Sequence, residues 1–156
     1  MVTPLSSMVT PLGNWTPDEP GPSAFVRYGA VWDTAHASVT DARRAVRTLL
    51  ARAGHRPDQR PSQDAQLVVS ELVSNAIQHA PGPGGLLLEV TPDASLLRIT
   101  VRDSSRLLPR PQARDALRIG GHGLHLVSRL CDKIRTVTLD TGKLVTAHLR
   151  LYRATG

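Results

Sequence analysis

Cysteine is nearly absent from this 156-residue chain. Cys131 stands alone, which excludes an intramolecular disulfide and fits a reducing compartment such as the cytoplasm. It falls in the apolar stretch of a predicted helix and reads as a small buried hydrophobe. Aromatic residues are almost as scarce, with two Trp, two Tyr and one Phe. The core therefore has to be built from Leu, Val, Ala and Ile. No run approaches the ~20 apolar residues of a membrane span, so no contact with a membrane is expected. The N-terminus shows no basic region followed by an apolar one, so no signal peptide is expected. The six histidines are scattered and never fall at zinc-site spacing with the cysteine.

The first 22 residues are rich in Pro, Ser, Thr and Gly and hold no Lys or Arg. They read as a disordered tail, with one domain over residues 23–156. Met1-Val2-Thr3-Pro4-Leu5 recurs as Met8-Val9-Thr10-Pro11-Leu12, which makes Met8 an alternative start. One short copy is not a structural repeat. Past the tail, Ala24 to Trp32 reads as a strand. Ser38 to Ala53 reads as a helix, capped by Ser38 or Thr40 and closed by Gly54. A second helix runs from Ser62, as N-cap, to Ala80. Leu86 to Thr91 and Leu96 to Arg102 are predicted strands joined by a turn at Pro92-Asp93-Ala94. Residues 104–119 form a lid, and a glycine turn at Gly121 leads into a helix ending at Cys131. Lys133 to Leu139 and Leu144 to Tyr152 complete the pattern as a hairpin around Asp140-Thr141-Gly142. The expected fold class is α/β: a two-layer sandwich, with a mixed, mostly antiparallel sheet and helices on one face.

Chemistry concentrates in Glu71-Leu72-Val73-Ser74-Asn75-Ala76-Ile77-Gln78-His79-Ala80. Leu67, Val68, Val69, Leu72, Val73, Ala76 and Ile77 give the second helix a broad apolar side. Asp64, Glu71, Asn75, Gln78 and His79 line one polar stripe. Glu71 and Asn75 are one turn apart, about 5–6 Å between Cβ atoms. An amide oxygen there can complete the shell of a Mg²⁺ ion whose other ligands are waters and phosphate oxygens. The carboxylate beside it can accept a proton. A solvated outer stripe is the commonest role for such residues, so the pair gains meaning only from segments further along the chain.

Two downstream segments supply that meaning. Leu96 to Arg102 alternates like a strand and runs into Asp103, after which Ser104-Ser105-Arg106-Leu107-Leu108-Pro109-Arg110-Pro111 cannot continue it. Gly120-Gly121-His122-Gly123-Leu124 then leads straight into an apolar helix. Glycines allow close backbone approach, and the first N–H groups of a helix point at an anion. A flexible loop entering a helix would look the same.

The order of these three segments resembles the GHKL ATPase superfamily, and within it the small anti-sigma-factor serine/threonine kinases of the RsbW type. Glu71 to Asn75 looks like the N box, Val101-Arg102-Asp103-Ser104-Ser105 like the first glycine box, and Gly120 to Leu124 like the second. The resemblance covers about residues 24–152. It implies the Bergerat, or histidine kinase-like, ATPase fold, with ATP and Mg²⁺ as cofactors. It implies Glu71 as general base, Asn75 as the Mg²⁺ ligand and Asp103 as acceptor for the exocyclic amine of adenine. Gly121 and Gly123 would bring backbone amides to the phosphates. Gly120, Leu124, His122 and Ser105 would border the nucleotide. The family also places a Thr near adenine in its last strand, where this chain offers Thr146 in a shifted place or Leu144 in the expected one. The implied partners are an anti-sigma-factor antagonist and a sigma factor. Related kinases often work as dimers, and no residue here marks such an interface.

Two features complicate that picture. The family's x-Gly-x-Gly after the aspartate is Ser104-Ser105-Arg106-Leu107 here, so both glycines are gone. This leaves a second function open: a module that sequesters a regulatory protein, with weak or structural nucleotide binding. The net charge of +6 also raises nucleic acid. Yet 17 of the 19 basic residues are Arg, a compositional bias rather than a patch. No helix-turn-helix, zinc finger or aromatic RNA motif is present, and Pro109 and Pro111 break any helix that would align the lid arginines. A solvated surface ranks first for them, an acidic partner or the ATP phosphates second, nucleic acid last.

Overall fold

A computed structural model describes residues 3–5, 26–33, 38–79, 82–105 and 123–151, without the side chains of 3–5, 79 and 123–125. Strands β1 (Thr3–Leu5), β2 (Val26–Trp32), β3 (Gly84–Val90), β4 (Leu96–Asp103), β5 (Lys133–Leu139) and β6 (Gly142–Arg150) form one sheet in the order β1-β2-β3-β4-β6-β5. Every pair among the described strands is antiparallel. Helices α1 (Val39–Arg52), α2 (Arg60–His79) and α3 (Gly123–Leu130) complete the fold. Within the stretch read as tail, Thr3–Leu5 pair with β2; the rest of that stretch lies outside the described residues.

Strand alternation puts Tyr28, Ala30 and Trp32, then Leu86, Leu88 and Val90, then Leu97, Ile99 and Val101, then Val145, Ala147 and Leu149 on one face. That face packs against Val46, Leu49 and Leu50 of α1 and Val68, Val69, Leu72, Val73 and Ala76 of α2. Among the described residues the core is aliphatic apart from Trp32 and the half-buried Tyr28, as the scarcity of aromatics requires. Each fully buried Leu or Val in it contributes roughly 1.5–3 kcal/mol. Cys131 is half-buried against the core, and burial, then Asp132 and Asp64, pushes its thiol up to about 12. On the opposite face Glu89 joins three strands, with Arg27 Nε at 3.3 Å and Arg98 Nη2 at 2.7 Å.

The ends of α1 follow local rules. Ser38 accepts from the Asp41 N–H at 3.1 Å as N-cap. At the other end Gly54 takes φ 94°, the His55 N–H reaches the Leu50 carbonyl and the Gly54 N–H that of Ala51. The buried His55 ring then donates from Nε2 to the Ala94 carbonyl at 2.8 Å, tying α1 to the β3–β4 turn. The start of α2 differs from the sequence expectation. The Gln59 carbonyl already accepts from the Gln63 N–H, so the helix begins at Arg60, with Pro61 in its first turn. Ser62 is fully buried inside the helix, where its Oγ accepts from Gln66, and it caps nothing.

Candidate functional site

The link from α2 to β3 is short, and Gly85 of β3 pairs with Arg102 of β4. The C-terminal half of α2 and the end of β4 therefore share one end of the sheet. Asp103 is in phase with Leu97, Ile99 and Val101, so it lies on the face that α2 covers. Glu71, Asn75 and Asp103 thus belong to one face and one end of the molecule.

Glu71 and Asn75 are both half-buried on α2. The Asn75 Nδ2 is buried with no hydrogen-bond partner. A buried amide left this way costs about 1–3 kcal/mol, so its carboxamide is held by packing and not by a protein acceptor. It can rotate to present Oδ1 to a cation, which fits a Mg²⁺ ligand. Among the described residues no group of His, Cys, Asp and Glu is built to hold a metal alone. An ion at Asn75 would take its remaining ligands from phosphate and water. Gln78 is exposed, and the side chain of His79 lies outside the described residues.

Asp103 is 6% exposed and paired on both carboxylate oxygens. Lys143 Nζ lies 3.0 Å from its Oδ1 and 2.9 Å from its Oδ2, and the Ser105 N–H donates to Oδ1 at 2.9 Å. The same ammonium donates to the Ser105 carbonyl at 3.2 Å. Ser104 Oγ donates to the Pro83 carbonyl at 2.6 Å. Of the two positions where the family has glycines, Ser105 is held in this hydrogen-bonded frame and Leu107 lies outside the described residues. Gly142 opens β6 against the same spot: a Cβ there would run into the Asp103 carbonyl oxygen.

Thr146 is not part of this site. Asp103 pairs with Lys143, so Leu144 and Thr146 alternate to the opposite face. There Leu144 packs with Leu87, and Thr146 Oγ1 donates to Thr100 Oγ1 at 3.4 Å. The residue that meets Asp103 is Lys143, which sequence reasoning missed. Its one signal was being one of only two lysines in an arginine-rich chain.

Helix α3 starts at Gly123 and packs on α2, with Val127 fully buried in the core. Gly120, Gly121 and His122 lie outside the described residues, and only the backbone of Gly123 and Leu124 is described. Of the lid expected over residues 104–119, all beyond Ser105 lies outside them as well. An open groove of about 490 Å³ lies at the other end of β4 and β6, lined by Ser95, Leu96, Asp132, Lys133, His148 and Arg150 among others. It contains neither Glu71, Asn75 nor Asp103.

The family model described as histidine kinase-like ATPase domain matches residues 32–149. A solved structure of the RsbU and RsbW domains of a Mycobacterium tuberculosis protein superposes with a TM-score of 0.57 at 20% identity, covering 80% of this chain and 33% of that one. The chain thus spans about a third of that neighbour's length. The histidine kinase domain of a blue-light activated kinase from Erythrobacter litoralis gives a TM-score of 0.44 at 21% identity, over 76% of this chain and 66% of that one. Among curated proteins no sequence matches.

Proposed function

Because the chain belongs to the histidine kinase-like ATPase domain family, we propose that it is an ATP-binding regulatory kinase acting on a serine or threonine of a partner protein. The partner class is an anti-sigma-factor antagonist, with a sigma factor as the protein it sequesters. The cytoplasm is where both would be met. The likeness in fold to a structure that contains RsbU and RsbW domains supports this branch of the family. The observation that carries the reading is the grouping of Glu71, an unpartnered amide at Asn75 and a buried carboxylate at Asp103 on one face and one end of the sheet.

The roles follow from chemistry. Asn75 Oδ1 would hold Mg²⁺, which when bound offsets the negative charge of the phosphates. Asp103 accepts from the exocyclic amine of adenine. By the family pattern, backbone N–H groups of Gly120, Gly121, His122, Gly123 and Leu124 would meet the phosphates. Ser105 borders the base. Glu71 takes the proton of the partner's hydroxyl as its oxygen bonds to the γ-phosphorus and ADP leaves.

A second reading is favoured by one observation: Asp103 is already occupied by Lys143 and Ser105. In that case the protein sequesters its partner without chemistry. Titration calorimetry with ATP, with and without Mg²⁺, separates the two. Binding that needs Mg²⁺ supports the kinase, and no binding supports the sequestering module. For the kinase, Glu71→Ala should lower phosphotransfer, or residual ATP hydrolysis, by about 10²–10⁴. Its ATP affinity should stay unchanged. Equal turnover by the variant would remove Glu71 from the reaction.

A further inference from the structure

Lys143 is 4% exposed, and buried ammonium groups are rare unless paired. Its Nζ donates to Asp103 Oδ1 and to the Ser105 carbonyl, and pairs with Asp103 Oδ2 at 2.9 Å. The carboxylate has acceptor capacity to spare. An ionised carboxylate has about four lone-pair sites. Here Oδ1 receives Lys143 and the Ser105 N–H, while Oδ2 receives Lys143 alone. Oδ2 therefore keeps acceptor capacity for one further donor.

We infer that Lys143 is a positioning residue for nucleobase recognition: it holds the Asp103 carboxylate so that Oδ2 accepts the exocyclic amine of the bound base. The inference rests on the ATP-binding reading of the site. It also explains how the chain does without the first glycine after Asp103, at the position of Ser105. The Lys143 ammonium bridges Asp103 to the Ser105 carbonyl, and Ser104 Oγ ties the next peptide to Pro83. The turn is shaped by side-chain bonds in place of glycine dihedrals. The cross-strand register, with Asp103 opposite Lys143, makes this local.

A purely structural role for Lys143 would affect all nucleotides alike, whereas a positioning role acts through one hydrogen bond of the base. The test compares ATP with purine riboside triphosphate, which lacks the exocyclic amine, by calorimetry in the presence of Mg²⁺. The wild type should prefer ATP. In Lys143→Met the ATP affinity should fall by about ten- to a hundredfold, the worth of a hydrogen bond to a charged group. The affinity for the purine analogue should change by less than about threefold on the same grounds. Should the Met variant fail to fold, Lys143→Gln, which keeps N–H donors for the Ser105 carbonyl, carries the same comparison. Equal losses for the two nucleotides, or no loss for either, would overturn the role of Lys143 while leaving ATP binding intact. A wild type that binds neither nucleotide would overturn the ATP-binding reading and this inference with it.

Discussion

Removing the amide of Asn75 should make the protein more stable and less able to bind. The amide N–H is buried without a partner in the interior of α2, an arrangement that costs about 1–3 kcal/mol. Asn→Ala removes that cost and adds about 0.5 kcal/mol of helix propensity. Against this stands the loss of van der Waals contact from a half-buried side chain, on the order of 1 kcal/mol. The balance favours Asn75→Ala by about 1 kcal/mol, or a rise of roughly 2–4 °C in Tm for a chain of this size. Thermal denaturation followed by circular dichroism without nucleotide measures it. Saturating MgATP should reverse the order. At a hundred times Kd the wild type gains about 2.7 kcal/mol, and the variant gains none. A variant less stable than wild type in the absence of nucleotide would refute the reasoning, because the amide would then serve packing. So would an equal gain from MgATP in the two proteins.

Two further outcomes test the frame around the site. Gly142→Ala should cost about 2–3 kcal/mol in urea denaturation, since the new Cβ meets the Asp103 carbonyl and Gly142 holds φ 159°. A change below about 0.5 kcal/mol, the ordinary range for a neutral surface substitution, would contradict the close approach of β6 to Asp103. At the other end of the sheet, burial, then Arg98, Lys133 and Arg135, holds the His148 ring below its usual 6.5. The unfolded chain therefore takes up the proton first, and stability present above pH 6.5 is lost as pH falls below it. In His148→Gln that loss between pH 7 and the window below 6.5 should shrink, as read from denaturation midpoints. An unchanged pH slope would remove His148 as its source.

What was legible in the sequence was what is local. The apolar spacing from Leu67 to Ile77 locates α2 and its polar stripe because a helix bonds only to itself. Even there the start shifted by two residues. Ser62 has the chemistry of a cap, yet Gln59 closes the first turn and burial takes Ser62 inside. The order of acid-plus-amide helix, strand ending in Asp and glycine-led helix pointed to the family because each part is a short contiguous pattern.

Register was not local and was not legible. Asp103 and Lys143 are forty residues apart, and nothing between them encodes which residue of β6 faces which residue of β4. A slip of one position exchanges the faces of a strand, so the choice between Leu144 and Thr146 was one between two residues on the wrong face. The pairing of Lys143 with Asp103 also changes how the missing glycines are to be weighed. Glycine permits a backbone shape, whereas Ser104 and Ser105 have to be held in one. A strand-end aspartate with an ammonium across the ladder can supply that hold. A serine at the first glycine position is therefore not by itself a disabled pocket. Its competence rests on whether Oδ2 of Asp103 keeps an open lone pair, and the pairing seen here leaves one.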